Sequence, residues 1–141
     1  MTITLKFYAD AALTTELNSS NPLSFAFAAD GSTGSVDKTV YLGSTATGKT
    51  FQDSTSPGTA QIAVSIADAL PAAGQAATSI KLATSSGGLA TATAGASLNV
   101  GTSISSGVGN AVPIYIRATP SSLTTGTYLD LSLTTQSLQE A

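Results

Sequence analysis

A chain of 141 residues is long enough to bury a core without covalent staples. Its five basic and eight acidic side chains leave a net charge of −3, which argues against a nucleic-acid partner, and no basic amphipathic stretch suggests a membrane surface. The absence of cysteine and histidine removes disulfide frameworks, the usual zinc sites and the usual nucleophile–histidine machinery, and no apolar run approaches the roughly 20 residues of a membrane span.

From the N-terminus, Ile3, Leu5 and Phe7 alternate with Thr2, Thr4, Lys6 and Tyr8, the period of a half-buried strand. No basic region precedes an apolar core there, so no secretory signal is expected. The next run ends in Asn18-Ser-Ser-Asn-Pro22 and reads as a loop. Leu23–Ala28 predicts a second strand, with Leu23, Phe25 and Phe27 on one face, and Asp30-Gly31 opens a turn. Lys38–Gly43 predicts a third strand, with Val40 and Leu42 pointing one way and Tyr41 the other. Ser44–Thr59 is polar and reads as a long loop with a short strand at Lys49–Gln52.

Ile62, Val64 and Ile66 alternate through a strand at Gln61–Ile66. Asp68–Ala77 is an alanine-rich turn in which Pro71 and Gly74 limit any helix. Thr78–Ala83 predicts a strand with Ile80 and Leu82 facing inward, and the low-complexity stretch Thr84–Ser97 reads as a mobile loop or an edge strand of small residues. Leu98, Val100, Thr102 and Ile104 share one face of a further strand, after which Gly107 and Gly109 break the chain.

The strongest pattern lies at Val112–Thr134. Val112, Ile114, Ile116 and Ala118 alternate with Pro113, Tyr115, Arg117 and Thr119 before a Pro/Ser/Thr/Gly turn, and Leu129, Leu131 and Leu133 alternate with Tyr128, Asp130, Ser132 and Thr134 after it. This predicts a hairpin in which Ile116 faces Leu131, Ile114 faces Leu133 and Arg117 faces Asp130. Ser137–Ala141 reads as a frayed tail. Roughly eight strands without a long helix predict an all-β fold in one domain, 1–141. The expected architecture is a two-sheet antiparallel sandwich with immunoglobulin-like or Greek-key connections.

The carboxylates Asp10, Glu16, Asp30, Asp37, Asp53, Asp68, Asp130 and Glu140 are scattered, so no acid–base pair stands out. Asp30-Gly31 with Asp37 lacks the spacing of a calcium loop, and no Lys–Asn isopeptide triad is singled out. Gly43-Ser-Thr-Ala-Thr-Gly48-Lys49-Thr50 matches a phosphate-binding G-x-x-x-x-G-K-T loop literally. That chemistry needs a helix next, and Pro57-Gly58 ends any helix too early, so a loop between strands is expected. No catalytic residue, metal or cofactor is therefore expected. As contact residues the sequence offers Tyr41, Tyr115, Arg117 and Tyr128, with Tyr128 also placed to form a tyrosine corner.

Pro120-Ser-Ser-Leu-Thr-Thr-Gly-Thr-Tyr-Leu-Asp-Leu-Ser-Leu-Thr134 resembles the closing strands of secreted sandwiches of the spore-coat U and fimbrial type, though it lacks their cysteines and no signal segment is evident. The stretch from Val40 to Ile66 resembles short β-rich structural proteins of tailed bacteriophages. The phage resemblance implies a non-enzymatic virion protein, made in the host bacterial cytoplasm and assembled without export. Its implied role is capsid decoration (cement), with the major capsid protein or another virion protein as partner and a homo-oligomer, often a trimer, as the assembled form. The alternative is a tail, fibre or pilus-like adhesive module that docks on host glycans or on other virion proteins.

Overall fold

The computed structural model describes residues 3–141; Met1 and Thr2, the latter opening the first predicted strand, lie outside the described residues. The protein is all-β. Among the described residues ten strands form: β1 (Lys6–Tyr8), β2 (Val36–Gly43), β3 (Thr50–Asp53), β4 (Ala63–Asp68), β5 (Ile80–Ala83), β6 (Leu98–Asn99), β7 (Ile104–Ser105), β8 (Val112–Ala118), β9 (Leu131–Thr135) and β10 (Leu138–Glu140). Short 3-10 turns at Ala77–Ser79, Gly87–Ala90 and Val108–Asn110 are the helical content, and no helix of the described residues is long and apolar enough to cross a membrane.

The strands form three antiparallel sheets, ordered β1-β2-β8-β5, β10-β3-β7 and β6-β4-β9. The two three-stranded sheets share their chain passages. Residues 50–68 supply β3 and then β4, residues 98–105 supply β6 and then β7, and residues 131–140 supply β9 and then β10, in the same lateral order. They are two halves of one layer, broken across its middle. One core cluster joins everything: Val40, Leu42, Leu82, Ile114 and Ile116 from the unbroken layer meet Phe51, Ile62, Val64, Ile104 and Leu138 from the broken one. Each such side chain contributes roughly 1.5–3 kcal/mol when fully buried. The molecule is thus a sandwich with three sheets where two are expected from the sequence.

The break has a chemical cause. Gly101 takes φ +114, which turns the passage 98–105 out of the ladder and separates β6 from β7, so the single strand predicted from Leu98 to Ile104 is two. On the neighbouring passage the Asp53 carboxylate accepts the amides of Thr55 (2.9 Å) and Ser56 (2.7 Å) and closes a turn. Backbone and side chains together stitch the gap: the Ile62 amide donates to the Gly101 carbonyl at 2.7 Å and the Val100 amide to the Ile62 carbonyl at 2.9 Å. Gln136 Oε1 accepts the Ala63 amide at 2.9 Å, while its Nε2 donates to the Gln61 carbonyl at 2.7 Å and to Asp53 Oδ2 at 3.3 Å. Gln61 Oε1 in turn accepts the Gly101 amide at 3.1 Å.

The predicted terminal hairpin does not form. β8 lies between β2 and β5, with Ile116 opposite Lys38 and Leu82, so both its edges are taken. β9 instead crosses to the other layer and pairs with β4, setting Leu133 against Ile66 and Leu131 against Asp68. Arg117 consequently meets Asp37, not Asp130. Asp130 is buried, its Oδ2 accepting the Gln75 amide at 3.1 Å, and Leu129, predicted to face inward, is 79% exposed.

Two further expectations fail for identifiable reasons. Leu23–Ala28 is irregular: Leu23 and Phe25 pack against the core as the alternation requires, but no strand pairs with the segment, and Lys38 Nζ binds the Ser24 carbonyl and sits 5.5 Å from the Phe25 ring centroid. The tail is not frayed. Leu138 is buried, β10 pairs with β3, and Ala141 and Thr50 exchange two backbone bonds of 2.9 Å.

Candidate functional site

The outward face of the four-stranded sheet gathers the chemistry-bearing side chains. Registers place Tyr8, Tyr41 and Pro113 in one cross-strand row, Thr39, Tyr115 and Ala83 in the next, and Asp37, Arg117 and Lys81 in the third. Period-two alternation puts these residues on the face opposite Val40, Ile114, Ile116 and Leu82. The sheet brings Tyr41, Tyr115 and Arg117 together, as contact residues read from the sequence. Tyr128 lies elsewhere, on the loop before β9. Its hydroxyl donates to the Thr124 carbonyl at 2.8 Å, the upstream bond of a tyrosine corner.

Arg117 is fixed by a two-pronged contact with Asp37. Its Nε donates to Oδ1 at 2.8 Å and its Nη2 to Oδ2 at 3.0 Å. The hydrogen bond from Arg117 holds the Asp37 carboxyl below its ordinary value, and Asp37 raises the already high value of the guanidinium. Both groups are at the surface, so the pair fixes orientation more than it adds stability. Lys81, in the same row, has no carboxylate partner among the described residues and remains a free cation beside the ion pair.

Two apolar plugs flank this face. At one end the Asp10 carboxylate accepts the amides of Thr14 (3.0 Å) and Thr15 (2.9 Å) and the Thr14 hydroxyl. The Thr14 hydroxyl, then the Thr15 amide, hold the Asp10 carboxyl below its ordinary value. The turn they close forces Leu13 to φ +55, rare for a leucine, and presses it 4% exposed beside Gly43 and Ala111. At the other end the 3-10 turn Gly87–Ala90 lies against β5 and β8 and buries Leu89 to 1% exposure, with Gly88 close to Ala83. The stretch read as a mobile loop or edge strand thus supplies a plug. Nothing in its composition marks Leu89, and only the small residues Gly43, Ala83 and Gly88 hint at the close approach.

The G-x-x-x-x-G-K-T stretch is a strand-to-strand loop. Gly43 ends β2, Gly48 turns at φ +67, and Thr50 begins β3, so no helix N-terminus faces the loop. Its backbone is already engaged: the Lys49 amide donates to Ser106 Oγ at 2.9 Å and the Lys49 carbonyl accepts the Ser106 amide at 2.8 Å. Ser44, fully buried within it, shares a 2.8 Å hydrogen bond with the Thr4 hydroxyl, which in turn contacts the Glu140 carboxylate and ties the N-terminal segment to the last strand. Among the described residues no group of three or more acidic, histidine or cysteine side chains could hold a metal; Asp30 accepts the Ser32 amide instead.

Shallow grooves mark the surface of the described residues. One is lined by Phe27, Ala28, Thr33, Pro120 and Leu123, another by Ile3, Leu5, Phe7, Leu42, Gln136 and Leu138. Neither lining gathers converging charged groups of the sort that orient a small substrate. Comparison with known proteins gives no match to a family model, a curated protein or a solved structure.

Proposed function

We propose that this chain is a non-enzymatic virion structural protein, a capsid decoration (cement) protein that binds and stabilises the lattice of a major capsid protein at the capsid surface. The observation that carries the reading is the rigid outward face on which Tyr41, Tyr115 and Arg117 stand together, with Arg117 locked by Asp37. Tyrosine and arginine are the residue types that anchor protein interfaces, and a side chain already held in place loses little freedom on binding. Lys81 adds a cation that a carboxylate on the partner would complement. A capsid presents the same partner surface many times, so modest contacts sum when the decorating copies are joined in a homo-oligomer.

The test is co-sedimentation with expanded capsids and calorimetry of the decorated particle. The expected result is saturable binding and a higher particle melting temperature, with affinity reduced at least tenfold and the rise in melting temperature diminished by Tyr115→Ala or Arg117→Ala. Absence of binding, or binding indifferent to both substitutions, contradicts the proposal.

The loop bearing Tyr128 favours a second reading, an adhesive module of a tail, fibre or pilus-like appendage. The Tyr128 ring is exposed while its hydroxyl is tied down, which leaves an aromatic surface open to a sugar ring. Glycan-array binding that is lost in Tyr128→Ala and kept in Tyr115→Ala would select this reading over the first.

A further inference from the structure

Among the described residues β9, at five residues, is the longest edge strand of the three sheets. The Ala69 amide donates to the Asp130 carbonyl at 2.8 Å, and the register pairs Ala67 with Ser132 and Ser65 with Thr134. Even-numbered residues therefore direct their backbone groups toward β4, and Leu131, Leu133 and Thr135 direct theirs away from it. Among the described residues nothing hydrogen-bonds to those outward groups, because β9 ends its sheet.

An open edge is usually blunted by lysine, proline or a bulge. The outer strands of the unbroken layer follow that rule, with Lys6 on β1 and Lys81 on β5. β9, Leu131-Ser-Leu-Thr-Thr135, carries no charge, no proline and no bulge. Its inward-facing leucines also run out beyond the core. Leu133 packs with Ile66 in the core, Leu131 stands opposite Asp68, and the same register continued by two residues sets Leu129 opposite Leu70. Leu129 is 79% and Leu70 is 56% exposed.

We propose that β9 is a docking edge for a second copy of this chain, two copies pairing antiparallel about a two-fold axis through Leu131. The occupant follows from the strand's own sequence. Leu129-x-Leu131-x-Leu133 is a palindrome, so this register lays Leu131 on its own copy and Leu129 on Leu133 of the second copy, apolar against apolar at each position of the leucine face. It sets Asp130 opposite Ser132, so no like charges meet. Each outward amide of Leu131 and Leu133 gains a carbonyl, and two three-stranded sheets become one six-stranded sheet. The dimer replaces the three-fold arrangement implied by the phage resemblance. It does not rest on the capsid reading, since it is measured on the isolated chain.

Sedimentation equilibrium combined with residue-resolved amide hydrogen exchange tests it. Five paired residues a side make a small interface, so association is expected between micromolar and near-millimolar chain. The expected result is a monomer–dimer equilibrium in which the Leu131 and Leu133 amides slow at least tenfold as the dimer fills. Leu129→Lys, at a position exposed in the monomer, should weaken association at least tenfold while leaving exchange in β8 unchanged. A chain that stays monomeric throughout that range overturns the proposal. So does a trimer, or a dimer in which the Leu131 and Leu133 amides exchange as fast as in dilute protein, whether or not capsids are bound.

Discussion

The two layers of this sandwich solve the same problem differently. The four-stranded layer is continuous, its long central strands β2 and β8 pairing over seven residues, its edges bear lysines, and its outward face is stoppered by Leu13 and Leu89. The second layer is cut in two, its halves tied by Gln136, Gln61 and Asp53, and its β9 edge is bare. Both contribute to one core, so the difference is not burial but how backbone polar groups are satisfied. One layer satisfies them with long strands; the other adds a few side chains at its break and leaves the β9 edge unpaired among the described residues.

The largest expected effect comes from removing Ser137–Ala141. That deletion takes away the β10–β3 pairing and uncovers Phe51, which is fully buried. Loss of the Leu138 contact alone costs about 1.5–3 kcal/mol, and exposing Phe51 adds a comparable amount. Chemical denaturation should therefore show a severe loss of stability, and an unchanged midpoint would mean that the second layer does not need its last strand.

Gln136→Ala comes next. It leaves the Ala63 amide and the Gln61 carbonyl without their partner across the break, at a cost of about 1–3 kcal/mol. The same substitution at Gln139, which bridges nothing across the break, should cost less. Gly43→Ala probes the unbroken layer: a Cβ there would stand 2.9 Å from Leu13 Cδ1 and 3.2 Å from Ala111 Cβ. Overpacking of that kind costs about 1–3 kcal/mol, and Leu13→Ala in the same chain should recover part of it, which a double-mutant cycle would read directly.

The smallest effect is acid sensitivity. Asp37 is held below its ordinary value by Arg117, Asp53 by the amides of Ser56 and Thr55, and Asp30 by Ser32. Depressed folded-state values mean that the unfolded chain takes up protons first as pH falls. Their contribution is present above the ordinary aspartate value and is lost as pH drops through the folded values. The melting temperature should be flat near neutrality and decline modestly below about pH 4. A decline that begins near neutrality would contradict this assignment.

Much of the strand content is legible in the alternation of residues such as Val40, Leu42, Val64, Ile66, Ile114 and Ile116. What alternation does not encode is which strand pairs with which. Period two gives β8 and β9 correctly as strands and says nothing of the crossing between layers, so the nearest neighbour in sequence is the natural and wrong partner. Arg117 shows the consequence: its need for a carboxylate is readable, but Asp37, 80 residues away, is found only through the β2–β8 register. Leu23, Phe25 and Phe27 carry a strand's pattern without a strand, because their burial needs only a surface to lie on. Ser137–Ala141 looks like a tail because its partner, β3, is a four-residue strand set in a polar stretch. Of the four contact residues read from the sequence, Tyr41, Tyr115 and Arg117 share one face and Tyr128 does not, while Lys81 and the Leu89 plug emerge only once β5 is placed beside β8, and the Leu13 plug only once Gly43 is seen beneath it.

The most direct test is native-state hydrogen exchange on dilute protein, comparing β8 with the β9–β10 passage. The β8 amides should exchange only through global unfolding, while those of β9 and β10 open at least tenfold more readily, near Gln136 first. Equal protection in both layers, or β8 opening before β9, would contradict this order.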